Sequence, residues 1–184
     1  MKGMTDLNRT GSVALCGIVS ALCMVCMFLT GVIPFATYAL PALAGVLLIV
    51  IVIEQGKRWA LLVYAAVSLL SLILAPDLEA KLMFICFFGY YPILKALFEG
   101  MHRPHFAFCL KLAVFNAAVI AVYFVLGALG GLSADEFKIF GKSLPLLFLI
   151  AGNLIFLLYD YALTCLAATY VRRLQSKLHR LFRI

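Results

Sequence analysis

The chain has 184 residues, of which 66% are hydrophobic and 12% charged, with a mean hydropathy of +1.12. An ordinary soluble domain is roughly half apolar and a quarter charged, so this composition excludes one and predicts an integral membrane protein. The formal charge of +7 does not imply nucleic acid, because the basic residues are spread over short loops and a tail and do not gather on one soluble face.

In chain order, a polar start carrying Lys2, Asp6 and Arg9 leads into an apolar segment over residues 11–33. That run is longer than the roughly 7 to 15 residues of a signal-peptide core, and it is expected to be the first span. Ala14, Gly17 and Ala21 recur on it at helical spacing, with Thr10 in front of them. Small residues in such a stripe let two membrane helices approach closely, either within the chain or with a partner. Residues 31–41 follow as a short uncharged loop with Pro34, Phe35, Tyr38 and Pro41. The second span covers about residues 38–53 and ends at the polar turn 54–58, beside Trp59 at an interface-like position. The third covers 59–75 and closes at Pro76, Asp77 and Glu79.

The fourth span, residues 80–99, carries Phe87, Phe88, Gly89, Tyr90, Tyr91, Pro92, Lys95 and Glu99. A Pro in hydrocarbon leaves a carbonyl without its helical donor, so the sequence predicts a bend packed against protein or a cavity. Lys95 and Glu99 stand one turn apart on one face, and charges in a span normally face the bundle interior or the water boundary. His102 and His105 in the next turn match a solvated turn better than a metal pair, because no acidic or Cys ligand lies between them. The fifth span covers 106–129, and residues 127–142 form the longest loop, polar enough for a lid. The sixth covers 144–171, and the basic tail 172–184 carries Arg172, Arg173, Lys177, Arg180 and Arg183.

Lys and Arg divide unevenly between alternate loops. The start, the second and fourth turns and the tail hold eleven: Lys2, Arg9, Lys57, Arg58, Arg103, Lys111 and the five tail residues. The other loops hold Lys81, Lys138 and Lys142. By the positive-inside rule the expected fold is all-α: one domain over 1–184, a bundle of six transmembrane helices in the cell membrane with both termini cytoplasmic.

Three polar side chains, Lys95, Asn116 and Asp160, fall at comparable depth in spans four, five and six and are expected to meet. An Asp near the bilayer centre costs at least ~2.5 kcal/mol on insertion scales, so Asp160 should pair with Lys95, read as the one basic residue inside a span. The pair serves either to hold the two helices in register or in proton coupling or ligand binding. Asn153, Leu157, Asp160 and Thr164 share one face of the sixth span. Asn153 with Tyr38, Phe87, Phe88, Tyr90 and Tyr91 is expected either to line a ligand pocket near the outer surface or to belong to an aromatic interface belt. Cys23 and Cys26 match a redox spacing but lie inside a span with no second pair and no nearby His. No Walker loop, HExxH pair or GxSxG elbow occurs. The expectation is a protein that is not an enzyme and has no cofactor or metal.

Six short-looped spans, a small-residue first helix, an outer proline loop, an aromatic fourth helix and a basic tail together resemble the S component of energy-coupling factor (ECF) transporters. The resemblance implies a membrane subunit that binds a small organic micronutrient between its outer loops and helices four to six. It also implies a transmembrane T subunit and two ATPases as partners that supply the energy. Where that family contacts its T subunit through an Ala-xxx-Ala-like pattern, this chain has Ala14, Gly17 and Ala21. A second likeness, in size and hydropathy, is to the rod-shape protein MreD, which implies an envelope assembly role with no ligand. A proton or ion carrier built on Asp160 and Lys95 is a third reading.

Overall fold

A computed structural model describes residues 9–33, 36–101, 103–129, 138–139, 142–143 and 145–174. The described chain is helical apart from a two-residue antiparallel pair, β1 (Lys138–Ile139) and β2 (Lys142–Ser143). Pro34, Phe35, His102, residues 130–137 of the expected lid and the tail from 175 onward lie outside the described residues. Among the described residues, five helical stretches are long and apolar enough to cross a membrane: Gly11–Leu29, Lys57–Leu74, Leu78–Phe98, Pro104–Ala128 and Leu149–Arg173. Many large apolar side chains on them point outward, among them Ile73, Phe124 and Leu158. A water-soluble surface would bury such a patch, whereas lipid solvates it.

The second expected span differs from these five. Helix α2 (Ala39–Glu54) has 16 residues and is apolar on every side, which is the pattern of a helix surrounded by protein. At ~1.5 Å per residue it is about 24 Å long, short of the roughly 30 Å hydrocarbon core. It buries Ala44, Gly45, Leu48, Ile49 and Ile51, and α1 (Arg9–Leu29) and α3 (Lys57–Leu74) pack beside it. On α1 the buried residues Ser12, Leu15, Cys16, Val19, Cys23 and Met27 recur every three or four positions, so one face alone meets the bundle. Gly56, at φ 87°, turns α2 into α3; that left-handed conformation is free of steric cost for Gly alone.

The fourth span is expected as one bent helix but is divided into α4 (Leu78–Met83), a π-helical turn (Phe84–Phe88) and α5 (Tyr91–Phe98). Asp77 starts it by accepting from the backbone N–H groups of Glu79 and Ala80 at 3.0 and 3.2 Å. Pro92 explains the division, since it has no N–H to give the Phe88 carbonyl. Upstream the ladder shifts by one residue, and the Gly89 N–H donates to Phe84 O at 2.8 Å. The Tyr64 hydroxyl donates to the neighbouring Ile85 carbonyl at 2.8 Å. Gly45 lets α2 rest directly on the Phe88 carbonyl, where a Cβ would collide. The break is therefore packed against protein. Helices α6 (Pro104–Ala128) and α7 (Pro145–Thr169), the latter extended by a π-helical turn (Tyr170–Leu174), complete the bundle.

Candidate functional site

Polar chemistry collects where α5, α6 and α7 meet. Lys95 is one turn before the end of α5, Lys111 two turns inside α6, and Asp160 midway along α7. The Lys95 ammonium donates to Asp160 Oδ1 at 2.5 Å, to the Asp160 backbone carbonyl at 3.1 Å and to Glu99 Oε1 at 2.7 Å. The Lys111 ammonium donates to both Asp160 carboxylate oxygens, at 3.2 and 3.0 Å, and lies 3.4 Å from Glu99 Oε1. The Tyr91 hydroxyl donates to Asp160 Oδ1 at 2.7 Å, and Thr164 Oγ1 to the Asp160 carbonyl at 3.0 Å. Two cations and two carboxylates thus balance within one cluster, and charged donors on a carboxylate are the strong class of hydrogen bond.

Lys111 corrects the expectation that Lys95 is the one basic residue inside a span. Counted with a loop in the sequence reading, it is buried on α6 at 8% exposure. The signal for it is Pro104, which begins the helix at its first turn and so places Lys111 two turns in.

Asn116 does not join the cluster. It pairs with Asn153, each side-chain amide donating to the other's Oδ1 at 3.0 Å. Each also donates to the carbonyl four residues back on its own helix, Leu112 and Leu149, at 2.8 Å. The reason is antiparallel register: five residues up α6 from Lys111 and seven down α7 from Asp160 bring the two amides opposite each other.

The expected outer ligand pocket is not formed by the six residues proposed for it. Phe87 packs on Tyr91, Phe115 and Phe156 with ring centroids 4.8, 5.2 and 5.7 Å apart, and Phe88 packs edge-on against Tyr159 at 5.2 Å. Phe115 and Phe156 stack at 4.8 Å. Rings from α6 and α7 fill the space in front of the fourth span, so Phe87, Phe88 and Tyr91 are core. Tyr90 lies edge-on to Tyr64 and is half-buried. Tyr38 is exposed, its hydroxyl bonded to Glu79, and Asn153 is held by Asn116.

Layers therefore follow one another along α5, α6 and α7: the ionic cluster, then the aromatic rings, then the amide pair. Beside the cluster an open cleft of about 300 Å³ is lined by Phe98, Met101, Pro104, Ala107 and Phe108 together with Glu99 and Lys111 of the cluster. Apolar walls with a few polar groups are the usual lining of a small-molecule site, and this volume is at the small end of the range.

The other sequence candidates are placed as follows. Ala14, Gly17 and Ala21 lie on the exposed face of α1, away from the chain's own helices, and a Cβ on Gly17 would meet nothing within 4 Å. The buried Cys23 thiol donates to the Ala44 carbonyl at 3.4 Å. His105 is exposed, and among the described residues no three His, Cys, Asp or Glu side chains gather as a metal site. Comparison of the chain with protein-family models, with curated proteins and with solved structures gave no match in any of the three.

Proposed function

We propose that this chain is the substrate-binding membrane subunit of an uptake system, taking a small organic micronutrient and drawing its energy from a separate ATP-hydrolysing complex. The observation that carries the reading is the open cleft beside the ionic cluster, because its lining joins the charged pair Glu99 and Lys111 to apolar side chains around a volume of small-molecule size. In this reading α2 also crosses the membrane, as the second of six spans, and both termini are cytoplasmic, following the loop charges. The cleft then opens to the cytoplasm while the packed rings close the outer side, an inward-facing state. The bare small-residue face of α1 is the surface offered to a transmembrane partner, with the T subunit of an ECF-like module as its proposed occupant.

Gentle purification from the native host followed by mass spectrometry of released small molecules tests the capture half. Uptake of that molecule, compared between hosts with and without ATP-driven partner complexes, tests the energised half. A co-purified organic molecule and partner-dependent uptake are expected. Recovery with membrane proteins alone, and no small molecule, would replace this reading with an envelope assembly role. Orientation is checked in a background without the native cysteines: Ser133→Cys should react with an impermeant label from outside, and Gln175→Cys after permeabilisation alone.

A further inference from the structure

The charges of the cluster cancel only when Glu99 is counted. Lys95, Lys111 and Asp160 have side chains 3%, 10% and 19% exposed and together carry one positive charge. Glu99, which balances it, is 48% exposed. Contact lengths grade in the same direction. An ammonium has three donors, and the acceptors of Lys95 lie at 2.5, 2.7 and 3.1 Å. Lys111 has its two Asp160 oxygens at 3.0 and 3.2 Å but reaches Glu99 only at 3.4 Å. The loosest contact among the four charges thus belongs to a buried cation that lines the cleft, and it is made with the most exposed of the four.

Resting on the binding-subunit reading above, we infer that the cleft takes a small organic monoanion, a carboxylate with an apolar body. Its head group replaces Glu99 on Lys111, and its body lies against Phe98, Met101 and Phe108. Glu99 is then a built-in competitor that keeps the buried cation neutralised while the cleft is empty and swings to water when the ligand enters. A cationic ligand would meet the buried excess of positive charge, and a dianion would overfill it. A neutral amide of the same shape would leave Glu99 in place.

The test is calorimetric titration of the full-length purified protein in detergent with hexanoate, hexylamine and hexanamide, the last also measuring partition into the micelle. Saturable hexanoate binding without comparable binding of the other two is expected. Lys111→Met should weaken it by roughly 10- to 150-fold, the range for a lost charged hydrogen bond. Glu99→Gln should strengthen it by about two- to fivefold, as an exposed competing ion pair is removed. Lys95 and Tyr91 still hold Asp160 in the Lys111 variant, and a melting curve shows that it is folded; should it fail to fold, the Glu99 variant decides alone. Hexylamine or hexanamide binding as tightly as hexanoate would overturn the carboxylate class and leave the binding-subunit reading standing. Hexanoate binding indifferent to both substitutions would overturn this location. No saturable hexanoate binding would overturn the inference outright, while the identity of the co-purified molecule separately judges the reading it rests on.

Discussion

Helices α6 and α7 are joined by polar side chains at two levels, the amides Asn116 and Asn153 at one and the charges Lys111 and Asp160 at the other. Each amide nitrogen gives one proton to its own helix and one to its partner, so the neutral pair is closed within two helices. The ionic level draws in a third helix through Lys95 and Tyr91, and it keeps a 3.4 Å contact beside a cleft. The difference separates a fastener from a site. A polar contact whose donors are all taken up at good length holds helices together, whereas one with a loose member at an open boundary has something to offer a ligand.

The largest expected effect comes from Asp160→Asn, which takes the more buried countercharge from two buried ammonium groups at once. Among its described residues α7 buries few side chains, Phe156 and Leu163 among them, so the polar levels are a substantial part of what seats it. Removing one partner of a buried pair typically costs about 3–5 kcal/mol, and a loss of that size is expected in detergent melts. Lys95→Met combined with Asp160→Asn should lose less than the two single effects added together. Strict additivity in that cycle would show that the short contact between them has no energetic counterpart.

The neutral level should respond less. Interhelical hydrogen bonds in membrane proteins are worth about 0.6 kcal/mol on average and up to about 1.7, so Asn116→Ala and Asn153→Ala should each cost on the order of 1 kcal/mol. Replacing both with Leu should cost little more than either change alone, because no unpaired amide is left behind. Ligand binding should be untouched in all three. If Asn153→Ala abolished binding, the neutral level would belong to the site and the distinction between fastener and site would fail.

Those two levels were unequally legible in the sequence. Lys95 and Asp160 could be matched because helical rise converts residue number into depth, and a charge in hydrocarbon has few ways of being satisfied. Lys111 is less legible because, although it falls five residues inside the expected fifth span, a Lys near a membrane boundary can also snorkel and so counts with the basic loop; the helix begins at Pro104 and buries it two turns in. The aromatic residues of the fourth span, with Tyr38 and Asn153, are expected from sequence either to line a pocket or to form an interface belt. What fills the space before them, Phe115, Phe156 and Tyr159, comes from two other helices, and intrahelical periodicity carries no information about interhelical packing. Pro92 correctly announced an interruption, but its form was set by Tyr64 and Gly45 on neighbouring helices, which cap the carbonyl exposed by the shifted ladder and accept the close approach. The outward face of α1 shows the same limit, since a small-residue stripe states that something can come close and not which side of the helix is inside.

The smallest expected change in stability is also the one that sharpens the comparison most. Glu99 stands 2.7 Å from Lys95 and 3.4 Å from Lys111, yet about half of its side chain is open to solvent. Exposed ion pairs contribute about 0–1 kcal/mol, because water screens the attraction and ordering a long side chain has its own entropic cost. Lys95 keeps both of its Asp160 acceptors without Glu99, and Lys111 keeps its two. Glu99→Gln should therefore melt within about 0.5 kcal/mol of the parent, far less than the Asp160 change, although both remove a carboxylate from the same pair of ammonium groups. Equal losses would mean that Glu99 is fixed as firmly as Asp160. The ionic level would then be closed in the same sense as the amide pair, with no loose member for a ligand to displace.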